Sequence, residues 1–446
     1  MPTLPDPPGP YEVGATTFTL PISPRGIGTL EPALLLEEVA FTAFYPTSLK
    51  QSPLPKAFRK GLHWLTRPLR DAVQGYAHFA GISAMLVWPL VLFFGSQLKI
   101  PVYLNAPPLS HDTASQASID DASSSVPKST SSPWPLVIFS HGLGGGRTTY
   151  SQLCAHLASS GRVVLALEHR DGTGPVFRTR SVDPATSHRG LYLRPEDVIW
   201  DEEVPPEEAN LALRAEQLEF RRWEVYLAYH AFRSLTGEGE HQSLLRVDGA
   251  SIIGEIWKGV ARCDKDVALV GHSFGGATIF STLSNPPPST DTRPIPISHA
   301  LALDPWLEPL PSPGPSPIAS ANDQHPKMFV INAEGFTLWK DHFTRLQDLV
   351  RAWDGGRLIT FVGATHLSFS DFLVMMPRPL RDASAKPNLR SINNIAQSFL
   401  DDKLEEALDG LTTRKMEIHW VDPSRWSRNK RRKRRLVGNV GDVVLH

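Results

Sequence analysis

The chain has 446 residues, with 45 basic against 46 acidic side chains and a formal net charge of −1. That balance excludes a global nucleic-acid signature. Hydrophobic residues at 41% and charged residues at 20% allow a large buried core, and two cysteines, Cys154 and Cys263, exclude a disulfide scaffold and a cysteine-rich zinc site.

In chain order, the start MPTLPDPPGPYEVG carries no basic stretch followed by an apolar run, so residues 1–12 are expected to be a disordered, untargeted leader. Thr16 to Leu20 and Ala40 to Tyr45 are β-rich and predict antiparallel strands. Ile82 to Phe94 is the longest apolar run. It is too short to span a bilayer, and Pro89 interrupts it. Residues 106–135, rich in Ser, Asp and Pro, read as a flexible insertion. Further proline-rich breaks lie at Pro286 to Pro296 and Pro309 to Pro317.

Between the breaks, short apolar runs alternate with helical patterns: Leu136 to Phe139, Val163 to Leu167, Val267 to Val270, Ala300 to Leu303, Met328 to Ile331 and Leu358 to Val362. Such alternation predicts an α/β fold with a mostly parallel central sheet flanked by helices. Glu207 to Leu235 reads as an amphipathic packing helix through Leu211, Ala215, Leu218, Val225, Tyr229 and Phe232. One domain is expected over 13–425, followed by a basic tail, 426–446, containing KRRKRR. That run fits a nuclear signal, an attraction to anionic headgroups or a solvated tail.

The chemistry-bearing signal is Gly271-His272-Ser273-Phe274-Gly275, between an apolar strand and a helix-compatible stretch. This is the context of a nucleophile elbow, in which small residues permit the tight turn that presents the Ser273 hydroxyl. A serine needs a base and an orienting acid, expected in the order Ser, Asp or Glu, His. Asp304 closes the run HALAL, and His366 follows the strand-like RLITFVGAT. Both occupy strand carboxyl ends, where side chains reach a ligand crevice. Asp291, Asp323 and Asp341 are weaker rivals in proline-rich, polar or helical contexts. His141, His169 and His272 precede the serine, His299 begins a strand, and His342 lies on a predicted helix. For the oxyanion, the Phe274 amide follows the nucleophile, and the glycine-rich bend Ser140 to Gly146 nominates the Leu143 amide. A phosphate-cradling loop is the rival reading of that bend, but no Lys-Ser/Thr pair follows it.

Several separated motifs resemble the platelet-activating factor acetylhydrolase family of α/β-hydrolases, in its single-chain plasma and intracellular branch: FSHGLGGGRTTYSQLCAHLASSGRVVLALEHRDG, RAEQLEFRRWE, GHSFGGAT, LALDPWLEPL, FVINAEGF and GATHLSFSDF. The resemblance implies a nucleophilic Ser273, an orienting Asp304, a basic His366, an oxyanion hole from the Leu143 and Phe274 amides, and neither metal nor other cofactor. It implies hydrolysis of a short sn-2 acyl ester, such as the acetyl group of an ether phospholipid. The rival readings are a general carboxylesterase or lipase acting on small esters, and a non-catalytic lipid-binding protein of the same fold. The EHRD stretch, Glu168 to Asp171, reads as structural. The segment His63 to Phe94, with Trp64, Leu65, Trp88 and Phe93, is similar to the family's lipid-contacting region, its rival reading being a core helix. The expected partner is therefore a phospholipid, with peripheral membrane contact and no nucleic acid, and the expected compartment is the cytoplasm.

Overall fold

The computed structural model describes residues 3–28, 34–47, 60–109, 133–179, 188–200, 205–237, 245–247, 254–312, 314–318, 325–353, 355–376, 382–422 and 433–446. The chain forms two compact units, Met1–Leu269 with Asn285–Ser298, and Val270–Ser284 with His299–His446. The sequence predicts one domain because the division falls inside a continuous apolar strand, where composition does not change.

In the first unit, β1 (Glu12–Ile27) pairs antiparallel with β2 (Leu34–Thr47), setting Phe18 opposite Phe41. β3 (Lys60–His63) precedes helices α1 (Leu69–Ala80) and α2 (Ala84–Leu90), and β4 (Lys99–Leu104) follows them. Then come β5 (Trp134–Ser140), α3 (Ser151–Ser159), β6 (Val163–Glu168) and the long α4 (Pro206–Thr236). The strands of this unit lie in the order β5-β6-β2-β1-β4-β3, with β5 and β6 parallel. β-branched and aromatic residues fill both faces of the pairing, and an aromatic cluster of Phe18, Phe41, Tyr45, Phe232 and Trp257 forms its core.

β7 (Val267–His272) carries the chain out of this unit and into α5 (Phe274–Leu283). The second unit holds β8 (Ile297–Leu303), β9 (Lys327–Ala333), α6 (Glu334–Thr337), α7 (Lys340–Ala352), β10 (Arg357–Phe361) and α8 (Ala385–Leu400). β8, β9 and β10 are parallel neighbours. After them come β11 (Thr413–Arg414), the antiparallel ribbon β12 (Ile418–Val421) and β13 (Lys433–Leu436), and β14 (Val443–Leu445). Parallel β strands joined through helices give the sheet its predominantly parallel character, as the alternating pattern predicts.

Four sequence expectations change. The leader is not detached: Leu4 is buried, Thr3 bridges to Lys99, and the Gly9 amide donates to Ser159 Oγ. Its partners lie far along the chain, so no local signal marks them. The basic tail is not uniformly tail, because β14 pairs antiparallel with β10 and parallel with β11. On α4, Leu211 and Ala215 are exposed, whereas Arg214, Gln217, Arg221 and Glu224 are buried with Leu218, Val225, Tyr229 and Phe232. Buried charge replaces the expected apolar stripe in the first half of the helix. Finally, Trp64 and Leu65 are core residues at 1% and 5% exposure, so neither is a lipid contact. Trp88 is half-buried, while Phe93 and Met85 stand 81% and 80% exposed on α2 and the π-helical turn after it. Most of the 106–135 insertion, residues 110–132, and the rival Asp323 lie outside the described residues.

Candidate active site

The second unit brings Ser273, Asp304 and His366 together. Gly271 stands where a Cβ would meet the Gly275 carbonyl oxygen at 2.3 Å, so only glycine fits this flank of the elbow. The turn forces Ser273 to φ 57° and ψ −118°, a conformation a non-glycine residue adopts only when its surroundings impose it. Two bonds impose it here. The Ser273 amide donates to the Leu303 carbonyl at 2.9 Å, and the Trp306 amide donates to the Ser273 carbonyl at 3.0 Å.

Asp304 follows β8 and is fully buried, with its amide donating to the Ile331 carbonyl at 2.8 Å. Oδ1 accepts the Ala333 amide at 2.7 Å, and Oδ2 lies 2.6 Å from His366 Nδ1. Burial raises this carboxyl above the usual carboxylate range, opposed by the His366 ring and the Ala333 amide. His366 opens a single 3-10 turn after β10, and its Nε2 lies 2.9 Å from Ser273 Oγ. A carboxylate at Nδ1 holds the ring proton there, leaving the Nε2 lone pair to accept the serine proton.

Two rings that sequence reasoning did not assign to the site hold the imidazole. Phe336 of α6 stacks on His366 at 4.6 Å with planes only 6° apart, and His272 lies against it at 4.5 Å. The segment FVINAEGF, which ends in Phe336, was the available signal. Burial, with the neighbouring His366 ring, lowers the His272 pKa well below its usual value, so this imidazole is neutral. His342 is on α7 as expected; its Nε2 lies 3.0 Å from the Pro305 carbonyl, and burial lowers its pKa to about 4. Asp341 lies beside it on α7, and Asp291 is an exposed loop residue.

His272, Asp304 and His366 also present donor atoms within 4.8 Å of one another, a spacing that could suit a metal ion. The donor chemistry disfavours one. His366 Nδ1 and both Asp304 oxygens are committed to hydrogen bonds, and His366 Nε2 faces the serine hydroxyl, so a cation would have to break the chain that links them.

The first unit holds the glycine-rich bend. Gly144 has φ 69°, and a Cβ there would meet the Phe79 ring at 2.5 Å. The amides on either side of Leu143 are tied, Gly142 to the Tyr150 hydroxyl at 3.2 Å and Gly144 to the Thr173 carbonyl at 2.8 Å. The Leu143 amide makes no hydrogen bond to another described residue. Beneath the bend, Arg221 is fully buried and donates to Asp171 Oδ2 at 2.8 Å, the His141 carbonyl at 2.7 Å and Thr173 Oγ1 at 2.6 Å. His169 Nδ1 meets Glu224 Oε2 at 2.5 Å, and burial favours the neutral form of both groups. Arg170 pairs with Glu38 at 2.8 Å, and Arg147 with Glu168 at 2.6 Å. The EHRD side chains are thus tied to Arg147, Glu224, Glu38 and Arg221 of their own unit.

Replacing Arg221 with Ala leaves the buried Asp171 carboxylate uncompensated, so a loss of about 3–5 kcal/mol in unfolding free energy is expected. Denaturant titration checks this. A change below about 1 kcal/mol would show that the pair is dispensable.

A family model described as platelet-activating factor acetylhydrolase, isoform II, matches residues 3–385. The chain belongs to this family. Curated platelet-activating factor acetylhydrolases are similar to it: that of Gallus gallus is 30% identical over 54% of this chain and 53% of its own length, and that of Cavia porcellus 27% identical over 83% and 69%. A putative phospholipase A2 of Schizosaccharomyces pombe is 34% identical over 32% of this chain and 33% of its own. The chain spans about half the length of the chicken and dog relatives it matches. A solved ferulic acid esterase from Streptomyces cinnamoneus shares the fold, with TM-score 0.52 and 19% identity over 91% of this chain and 94% of its own. Ser273, Asp304 and His366 all lie within the matched residues.

Proposed function

We propose that this acetylhydrolase-family chain is a serine esterase that cleaves the short sn-2 acyl ester, most concretely acetyl, of an ether phospholipid or an oxidatively shortened relative. The observation that carries the reading is the chain of hydrogen bonds from Ser273 Oγ to His366 Nε2 and from His366 Nδ1 to Asp304. Family membership supports the lipid substrate.

In this reading, Ser273 Oγ attacks the ester carbonyl while His366 Nε2 takes the serine proton. Asp304 keeps the imidazole in the required tautomer and stabilises the imidazolium. The Phe274 amide, at the positive end of α5, donates to the developing oxyanion, and the Leu143 amide is the proposed second donor. Collapse of the intermediate breaks the acyl–oxygen bond, and His366 returns its proton to the departing lyso-lipid oxygen. Water then adds to the acyl-enzyme by the same route, releasing the short acid and restoring Ser273. Phe336, flat on the imidazole, limits its rotation between the two proton transfers.

Access to a lipid ester needs contact with an apolar phase. Met85, Leu86, Leu90, Leu92 and Phe93 form an exposed apolar ridge on the first unit, which we assign to peripheral contact with lipid. No helix among the described residues is long and apolar enough to cross a membrane.

The test is product release from a 2-acetyl ether phospholipid, a long-chain phospholipid and a soluble short ester, with chelator present. The expected result is chelator-insensitive turnover favouring the acetyl phospholipid. Turnover confined to the soluble ester would assign a general carboxylesterase instead, and loss of activity with chelator, restored by a divalent metal, would contradict the metal-free mechanism.

A further inference from the structure

The family match ends at residue 385, and the ribbon β12–β13 lies beyond it. Every residue of β12 is exposed, as are Lys433, Arg434 and Arg435 of β13. The register sets Trp420 opposite Arg434, Val421 opposite Lys433, and Ile418 opposite Leu436. Directly opposed residues of an antiparallel pair share a face. Trp420, 60% exposed, and Arg434 therefore lie side by side. An indole beside a guanidinium suits the boundary between headgroups and acyl chains, where an aromatic ring sits at headgroup depth and a cation meets phosphate or carboxylate.

The ribbon is anchored at its other end. Leu436 is buried with Val362 and Val444, its amide donates to Glu334 Oε1 at 3.3 Å, and Arg435 lies 3.4 Å from the same oxygen. Arg434 donates to the Leu338 carbonyl at 2.7 Å. Glu334 opens α6, whose Phe336 stacks on His366, and the Glu334 Oε2 accepts the Gly363 amide at 2.8 Å. Trp339 after α6 and Leu367 after His366 are exposed apolar residues of the same unit. A two-stranded ribbon standing free in water is marginal, so an element this exposed gains from a surface that covers it.

We infer that the ribbon β12–β13 is a docking element for an anionic phospholipid surface, with Trp420 and Ile418 entering the interface on the face that carries Arg434, and Lys433, on the opposite face one rung on, reaching the headgroups from the ribbon's flank by its long side chain. It differs from the ridge of Met85 to Phe93, whose exposed residues Met85, Leu86, Leu90, Leu92 and Phe93 are all apolar. The two surfaces make separable predictions. The ridge responds to any lipid phase, whereas the ribbon responds to headgroup charge and is weakened by salt. The choice of a lipid surface rests on the lipid-ester reading above, but binding needs no turnover.

The test is flotation of the full chain with vesicles of phosphatidylcholine alone and of phosphatidylcholine with phosphatidylserine. The parent is expected to bind the anionic vesicles at least about tenfold more strongly, with the preference fading at high salt, since each basic side chain at such a surface is worth about fivefold. Lys433→Glu with Arg434→Glu should abolish the preference, and Lys433→Gln should leave turnover of a soluble ester unchanged. Because Arg434 also anchors the ribbon, Lys433→Gln alone is the second variant, and about a fivefold loss of preference is expected of it. Ser273→Ala should bind as the parent does, which separates failure of this inference from failure of the catalytic reading. Equal binding of the parent to both vesicles, or an undiminished preference in the variants, would overturn the inference. So would displacement of the vesicles by duplex DNA at comparable concentration, which would identify the basic pair as a nucleic-acid contact.

Discussion

Ser273→Ala is expected to lower kcat on a soluble short ester by about 10⁵- to 10⁶-fold, the scale seen when the nucleophile of a serine triad is removed. The effect is this large because His366 and Asp304 act through the hydroxyl: without it, a tautomer-fixed imidazole has no proton to take from the enzyme. What remains is donation to the oxyanion and orientation of substrate, which alone give a modest rate over water. The substitution removes one oxygen and leaves the φ 57° backbone held by the Leu303 and Trp306 bonds, so thermal unfolding should not change. Steady-state kinetics beside a melting curve checks both halves. Retained activity would place the nucleophile elsewhere.

Asp304→Asn is expected to cost about 10⁴-fold in kcat while preserving the fold. Asp304 sits at φ 46°, a conformation that asparagine tolerates and most residues do not, so the backbone has no reason to move. An asparagine oxygen can still accept the Ala333 amide in place of Oδ1. The other position then presents an NH₂ to His366 Nδ1, which must accept, driving the ring proton to Nε2 where it faces Ser273. The histidine is then in the wrong tautomer to act as a base. Kinetics together with imidazole nitrogen NMR separate this from simple loss of structure: the account predicts a shift of the proton from Nδ1 to Nε2. An unchanged tautomer with unchanged rate would remove Asp304 from its proposed role.

The juxtaposition of Ser273, Asp304 and His366 was legible because each closes an apolar run: Ser273 after β7, Asp304 after β8 and His366 beyond β10. A parallel strand buried on both faces reads as a continuous apolar segment, so its carboxyl end is visible in sequence even when its neighbours are not. FVINAEGF points to the neighbourhood of Phe336, but the ring contacts of Phe336 and His272 depend on how α6 and β7 pack rather than on any spacing. The same limit explains α4. Arg214, Gln217, Arg221 and Glu224 recur on one helical face, but charged residues in a helix ordinarily indicate solvent, and their burial depends on Asp171, His169 and the carbonyl of His141 in distant segments. For Trp64 and Leu65, hydrophobicity alone cannot distinguish a side chain buried in a core from one that meets lipid; Phe93, in the same stretch, has the second exposure and they have the first. Near the C-terminus, the composition of KRRKRR masks both a paired ribbon and the sheet strand β14.

The most direct test of the central claim, that Ser273 is a nucleophile activated by His366, is intact-mass and peptide analysis after reaction with an organophosphate ester probe. The account predicts a single adduct per chain, carried by the peptide containing Gly271 to Gly275 and located on Ser273, with labelling greatly slowed in His366→Ala. An adduct on a different serine, or none under conditions where the soluble ester is turned over, would contradict it.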